Sequence, residues 1–203
     1  MRIQSPNKII LAKKETKDLR IFLDLDGVVS FWIKSAAKIC DLDIEEKETR
    51  NRLKNGTRFE DFLGGDDVMW SLIDKGGEDF WSKMEILPWG KKLYDLLNKK
   101  TSLFSFLTSP SNNPECASGK VKWLQNHFGD KFKDFLIGKH KYLCASPNSL
   151  LVDDDKKNCK KFEEHGGWSF YWPEPLSLMD EDVDIDDTFN KLSDFIRKIK
   201  NDD

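Results

Sequence analysis

Residues 20–29 read Arg-Ile-Phe-Leu-Asp-Leu-Asp-Gly-Val-Val. An apolar run delivers two carboxylates, one residue apart, onto a glycine. In a strand, residues i and i+2 project to the same side. A strand over Arg20–Asp24 therefore predicts Asp24 and Asp26 together at its C-terminal edge. Two carboxylates held that close repel unless a cation lies between them or one takes a proton. Folding alone gains little from such a pair. A metal site or an acid–base pair uses it directly.

Two more apolar runs end in the same manner. Ser102–Leu107 runs into Thr108-Ser109-Pro110, and Ser149–Val152 into Asp153-Asp154-Asp155. Between and after them the spacing is helical: Gly90–Lys100 through Leu93, Leu96 and Leu97, Glu115–Phe128 with Gly129 as its stop, and Lys156–Glu164 closed by Gly166-Gly167. A short strand is predicted at Phe135–Ile137, a last strand at Trp168–Trp172 and a last helix at Thr188–Ile199. Strands alternating with helices predict an α/β fold, a three-layer Rossmann-like sandwich on a parallel sheet. Parallel strands bring their C-terminal ends to one edge, where ligands bind. Asp24, Asp26, Thr108, Ser109, Asp153 and Asp154 would then converge. Four carboxylates and two hydroxyls make an oxygen-rich site, suited to Mg²⁺ and to phosphate.

Residues 31–86 differ in texture. They are helix-like and charged, carry Trp32, Trp70 and Trp81, and are interrupted by Gly64-Gly65 and Gly76-Gly77. We expect a core over 1–30 and 87–203 and a small helical cap over 31–86. Residues 1–19 are expected to form an arm or an extra edge element around Ile9-Ile10-Leu11. At 203 residues and 38% hydrophobic content, one core domain with an insert is the natural size. A net charge of −3, well mixed along the chain, gives no reason to expect a nucleic-acid polymer or a membrane surface as partner. No stretch reads as a signal peptide or a bilayer span. Cys40, Cys116, Cys144 and Cys159 are widely spaced, which reads as free thiols in a reducing compartment, and we expect a cytoplasmic protein.

Each motif alone has a plain reading: a turn for Asp-x-Asp-Gly, a helix cap for Thr-Ser, a solvated helix start for the aspartate triplet. Their order does not. The set resembles the haloacid dehalogenase-like phosphohydrolases. Asp24-Leu25-Asp26-Gly27-Val28-Val29, Leu107-Thr108-Ser109-Pro110 with Gly119-Lys120-Val121-Lys122-Trp123, and Leu150-Leu151-Val152-Asp153-Asp154 are similar to the 5′(3′)-deoxyribonucleotidases and their phage and bacterial relatives. The resemblance implies Asp24 as nucleophile and Asp26 as general acid and base. It implies Mg²⁺ on Asp24, the backbone carbonyl of Asp26 and Asp154, with Asp153 orienting them. Thr108 and Ser109 would bind phosphate.

A phosphate-binding lysine is also implied. Lys141 fits best, with Lys139 and Lys120 as alternatives. An aromatic beyond the first motif should line the substrate pocket, which points to Trp32 and, behind it, Trp70 and Trp81. The substrate implied is a small phosphorylated molecule, first of all a nucleoside monophosphate. A sugar phosphate, or a binding module that keeps the fold without catalysis, are the alternatives. The tail at 173–203 could dock a partner, but Phe189, Leu192, Phe195, Ile196 and Ile199 have the spacing of a helix packed on the sheet. The histidines His127, His140 and His165 show no ligand spacing.

Overall fold

The computed structural model describes residues 18–180 and 183–201; of the arm expected over 1–19, residues 1–17 lie outside them. Five parallel strands form one sheet in the order β3-β2-β1-β4-β5. They are β1 (Arg20–Leu23), β2 (Phe104–Thr108), β3 (Phe135–Ile137), β4 (Ser149–Asp153) and β5 (Trp168–Tyr171). β1 lies between β2 and β4, with Leu23 level with Phe106 on one side and Val152 on the other. That register places Asp24 level with Asp153 on one side and with Leu107 on the other, so Thr108 lies one residue further along the same edge.

Alternation along the strands sorts the side chains. Ile21, Leu23, Phe104, Phe106, Leu150 and Val152 face one core, and Phe22, Leu107 and Leu151 face another, smaller one with Phe162. Burying each such side chain contributes about 1.5–3 kcal/mol. Both sheet faces are therefore covered by helices, and the central strands β1, β2 and β4 are mostly apolar and buried, as parallel strands covered on both faces are.

Nine helices surround the sheet among the described residues. α1 (Trp32–Ile39), α2 (Lys47–Lys54), α3 (Asp66–Lys75) and α4 (Gly77–Ser82), with a 3-10 turn at Phe59–Phe62, form an insert after β1. α5 (Gly90–Asn98) and α6 (Pro114–Phe128) flank β2. α7 (Lys156–Glu164) follows β4, and α8 (Pro175–Leu178) and α9 (Ile185–Asn201) end the described chain. α6 starts one residue before its expected position because Pro114 takes the first helical turn, where its missing N–H costs nothing, and the Asn113 side chain accepts from the Glu115 N–H at 2.9 Å. Asp155 caps α7 in the same manner, accepting from the Lys157 N–H at 2.7 Å. In α9, Phe189, Leu192, Ile196 and Ile199 are buried in the main core, so this helix packs on the sheet. It begins three residues before Thr188, with Asp184 accepting from the Asp186 N–H.

Strand bounds shift by a residue or two from the sequence reading. β1 ends at Leu23 and β5 at Tyr171, and β2 begins at Phe104, after exposed Leu103. The four cysteines are free thiols. No helix among the described residues is long and apolar enough to cross a membrane.

Candidate active site

The three strand ends meet beneath a cavity of about 750 Å³ lined by Asp24, Asp26, Gly27, Ser109, Lys141 and Asp154, and on its far wall by residues of the insert and of the β5–α8 connection. A smaller cavity of about 420 Å³ adjoins it, lined by Trp32, Trp70, Asp74, Trp81, the turn 109–112 and Lys120. Asp26, Trp32 and Ser109 line both cavities.

Asp24 follows β1 directly, with its N–H bonded to the Val152 carbonyl. Its carboxylate is buried, and its Oδ1 lies 2.5 Å from Lys141 Nζ. Lys141 is 3% exposed and also holds Asp153 Oδ2 at 2.7 Å. Asp153 is wholly buried, and its oxygens are further taken by the Asp155 N–H at 2.8 Å and Asn158 at 3.3 Å. It is thus fully engaged with protein donors. Asp154 makes no hydrogen bond to a protein donor among the described residues, and it faces the cavity. Gly27 has φ +77°, and a Cβ there would lie 1.9 Å from Asp154 Oδ2. Only glycine allows both that turn and that approach.

Oxygens of Asp24, Asp153 and Asp154 lie within 4.8 Å of one another. Burial pushes the Asp24 carboxyl up to about 7, with Asp153 and Asp26 adding to the shift and Lys141 opposing it. Burial raises Asp154 well above the ordinary carboxylate range, and Asp24 and Asp153 add to it. Burial works against the Lys141 ammonium, yet Asp24 and Asp153 hold its pKa above the usual lysine value. Four carboxylates (Asp24, Asp26, Asp153, Asp154) face two ammoniums (Lys120, Lys141), which leaves two formal negative charges. The donor set is all oxygen and short of one divalent cation's charge, so it fits a hard ion such as Mg²⁺.

Asp26 stands on the other side of Asp24. Its Oδ2 is 2.5 Å from Lys120 Nζ, and its Oδ1 accepts from the Ser30 hydroxyl at 3.1 Å. Lys120 also donates to the Thr108 hydroxyl at 2.9 Å and the Ser109 carbonyl at 2.6 Å. Thr108 is wholly buried below it, and Ser109 fronts the cavities. Lys139 is exposed, two residues from buried Lys141.

Both Lys120 and Lys141 are therefore in the site, whereas the sequence reading ranked Lys120 as the poorer alternative to Lys141. Its signal was visible. Cys116, Gly119, Lys120, Trp123 and Leu124 form the buried stripe of α6, and a lysine on an apolar stripe needs a buried partner. Ser30 and Asn158 were missed and carry no comparable signal. Trp32 lines both cavities, edge-on to Phe59 at 6.1 Å and 6.3 Å from Trp70. Trp70 and Trp81 line only the smaller cavity, and Trp81 is buried under Lys120, 5.0 Å from its ring centre. His127 packs on Trp123 in the last turn of α6, and His140 and His165 are exposed, all outside the site.

Solved structures share this fold at low sequence identity. A haloacid dehalogenase-like hydrolase of Xanthomonas campestris matches 95% of this chain and 98% of its own, with TM-score 0.52 and 8% identity. The HAD-hydrolase YfnB of Bacillus subtilis, solved bound to magnesium, matches 82% of this chain and 91% of its own, with TM-score 0.52 and 14% identity. A HAD family hydrolase of Deinococcus radiodurans R1, with bound phosphate and sodium, matches 86% and 95%, with TM-score 0.51 and 12% identity. The likeness is one of fold. No curated protein matches the sequence. The family model for 5′ nucleotidase, deoxy (pyrimidine), cytosolic type C protein matches residues 17–196, from just before β1 into α9, and the chain belongs to that family of phosphohydrolases.

Proposed function

We propose that this protein is a Mg²⁺-dependent nucleotidase that hydrolyses nucleoside monophosphates through an aspartyl phosphate. One observation carries the reading: Asp24 and Asp26 stand side by side at the mouth of one cavity, each held by its own buried lysine. Asp24 is the nucleophile. It attacks phosphorus as the ester oxygen leaves, and Asp26 gives that oxygen its proton. Asp26 then takes a proton from water, which attacks phosphorus, releases phosphate and restores Asp24. Thr108, Ser109 and Lys141 bind the phosphoryl oxygens. Asp24, Asp154 and the backbone carbonyl of Asp26 would hold Mg²⁺, which cancels charge between phosphate and carboxylates. Asp153 orients Lys141 and the loop that carries Asp154.

The insert over 31–86 serves as the cap. It brings Trp32, Leu53, Arg58 and Phe59 over the strand ends, a wall of aromatic and cationic groups suited to a nucleoside next to a phosphate. The acid at Asp26 favours ester hydrolysis over dehalogenation, since an alkoxide leaving group needs a proton and a halide does not.

Phosphate release from a panel of nucleoside monophosphates and sugar phosphates, in Mg²⁺ and in EDTA, tests the reading. Nucleoside monophosphates should lead, EDTA should abolish turnover, and Asp24→Asn should lose about 10⁴-fold. Preference for sugar phosphates would overturn the substrate. Near-normal turnover by folded Asp24→Asn would falsify the covalent route.

A further inference from the structure

We infer that Lys120 is a positioning residue: it fixes the acid–base carboxylate Asp26 and anchors it to the insert through Trp81. The inference rests on the acid–base role of Asp26 proposed above. Lys120 is 1% exposed and lies on the core-facing side of α6, yet its ammonium emerges beside a carboxylate that is 27% exposed. Three oxygens surround Nζ: Asp26 Oδ2, the Thr108 hydroxyl and the Ser109 carbonyl, at 2.5, 2.9 and 2.6 Å. An ammonium has three donors, so all of them are spent. Its ammonium lies 5.0 Å from the centre of the Trp81 ring. No donor is left for a ligand, which separates this lysine from one that binds phosphate directly.

The carboxylate is gripped from both ends. Ser30, wholly buried, shares its one hydroxyl proton between Oδ1 at 3.1 Å and the Leu25 carbonyl at 3.2 Å, and Lys120 holds Oδ2. Each oxygen keeps one further lone pair for the proton it carries to or from the reacting atoms. Without Lys120 the carboxylate would keep only the Ser30 contact and could turn about its χ angles into either cavity.

The anchor itself cannot shift. α4 and α6 pack so closely that a Cβ at Gly119 would lie 2.5 Å from Trp81 Cβ and 2.7 Å from the Glu78 carbonyl oxygen. The residue before Lys120 is thus locked against the helix that carries Trp81. A lysine positions well only when its stem is fixed, because its four-carbon chain is otherwise free.

The test uses the full chain with Mg²⁺ and two substrates. From a nucleoside 5′-monophosphate the nucleoside leaves as an alkoxide and needs the acid, whereas from p-nitrophenyl phosphate a stable phenolate leaves. kcat/KM reports the first step for both. Lys120→Met should lower kcat/KM for the nucleotide about 30–100-fold and for p-nitrophenyl phosphate by less than about 5-fold, less than the roughly 10²–10⁴-fold of a whole general acid because Asp26 itself remains. In an Asp26→Asn background the same change should add no more than about 2-fold, because the group it positions is gone. If Lys120→Met does not fold, Lys120→Gln, which keeps a donor, decides by the same substrate ratio. Equal losses on the two substrates, or losses that multiply with those of Asp26→Asn, overturn the inference and make Lys120 a packing or phosphate-binding residue. An impaired Asp26→Asn next to an unaffected Lys120→Met overturns the inference alone. A fully active Asp26→Asn overturns the acid–base reading on which it stands.

Discussion

The floor of the site and its roof are built on opposite principles. The floor is the row of strand ends, where Asp24, Asp153 and Lys141 are almost wholly enclosed and each ion has a partner within 2.7 Å. The roof is the insert, where Trp32, Phe59 and Trp70 lean on one another at 6.1–6.3 Å and the ion pairs, such as Arg58–Glu60 and Lys83–Asp79, include largely exposed groups. Exposed pairs contribute about 0–1 kcal/mol, whereas breaking a buried pair costs about 3–5 kcal/mol. The floor therefore tolerates almost no change, and the roof tolerates much. A molecule built this way can alter what it selects without altering the chemistry.

The sharpest way to break that contrast is Lys141→Met. It leaves Asp24 and Asp153 buried side by side with no cation between them. We expect a loss of about 3–5 kcal/mol by denaturant unfolding and turnover near background. The matched roof change, Arg58→Met, removes only partly exposed pairs and should cost under about 1 kcal/mol. Similar unfolding losses for the two would erase the distinction.

The floor should also show a pH signature that the roof lacks. Asp24, raised to about 7, and Asp154, also raised, bind protons more tightly folded than unfolded. Between the unfolded value near 3.8 and the folded one, the native state carries more protons. Stability of the metal-free protein then falls as pH rises through that window. Mg²⁺ held as proposed would bind the deprotonated carboxylates, so it should raise the melting temperature strongly at pH 8 and little at pH 5. Asp154→Asn should raise the metal-free melting temperature at pH 8 and cancel the Mg²⁺ effect. A metal-free protein that gains stability from pH 5 to pH 8 would contradict the charge imbalance at the strand ends.

The same contrast explains what could be read from the chain. Strand ends are legible because an apolar run that stops at Asp24, Thr108 or Asp153 states both the strand and its exit. The parallel topology then brings the exits together with no further information. Lys141 was legible only through the family resemblance, since Lys139 shares its place before β4. Lys120 was half-legible: its stripe on α6 marks it as buried, but what it meets depends on how α6 lies against Asp26. Ser30 follows a turn made by Gly27, and Asn158 follows a helix cap, so each reaches its partner through local geometry that spacing does not encode. The roof was least legible. Trp32, Trp70 and Trp81 are one residue type, yet Trp32 lines both cavities and the other two only the smaller one, and that depends on how helices of six to ten residues pack.

Trp32 offers the gentlest test of the contrast. It is the first residue of α1, six positions beyond Asp26, and the only one of these three tryptophans that lines both cavities. A base lying over Asp26 would meet it from either side. Stacking of a base on an aromatic ring contributes roughly 1–3 kcal/mol in single-stranded nucleic-acid sites. Trp32→Ala should therefore lower kcat/KM for nucleoside monophosphates by about 10- to 100-fold and leave p-nitrophenyl phosphate within about 3-fold of the parent. Its half-buried ring also supports Phe59 and Trp70, so the variant's melting temperature must be measured beside its kinetics. Loss on both substrates with a parent-like melting temperature would move Trp32 from the roof's selecting surface to the chemistry of the floor. Loss on neither would leave the far wall of the larger cavity, with Leu53, Phe59 and Tyr171, as the surface that meets the nucleoside.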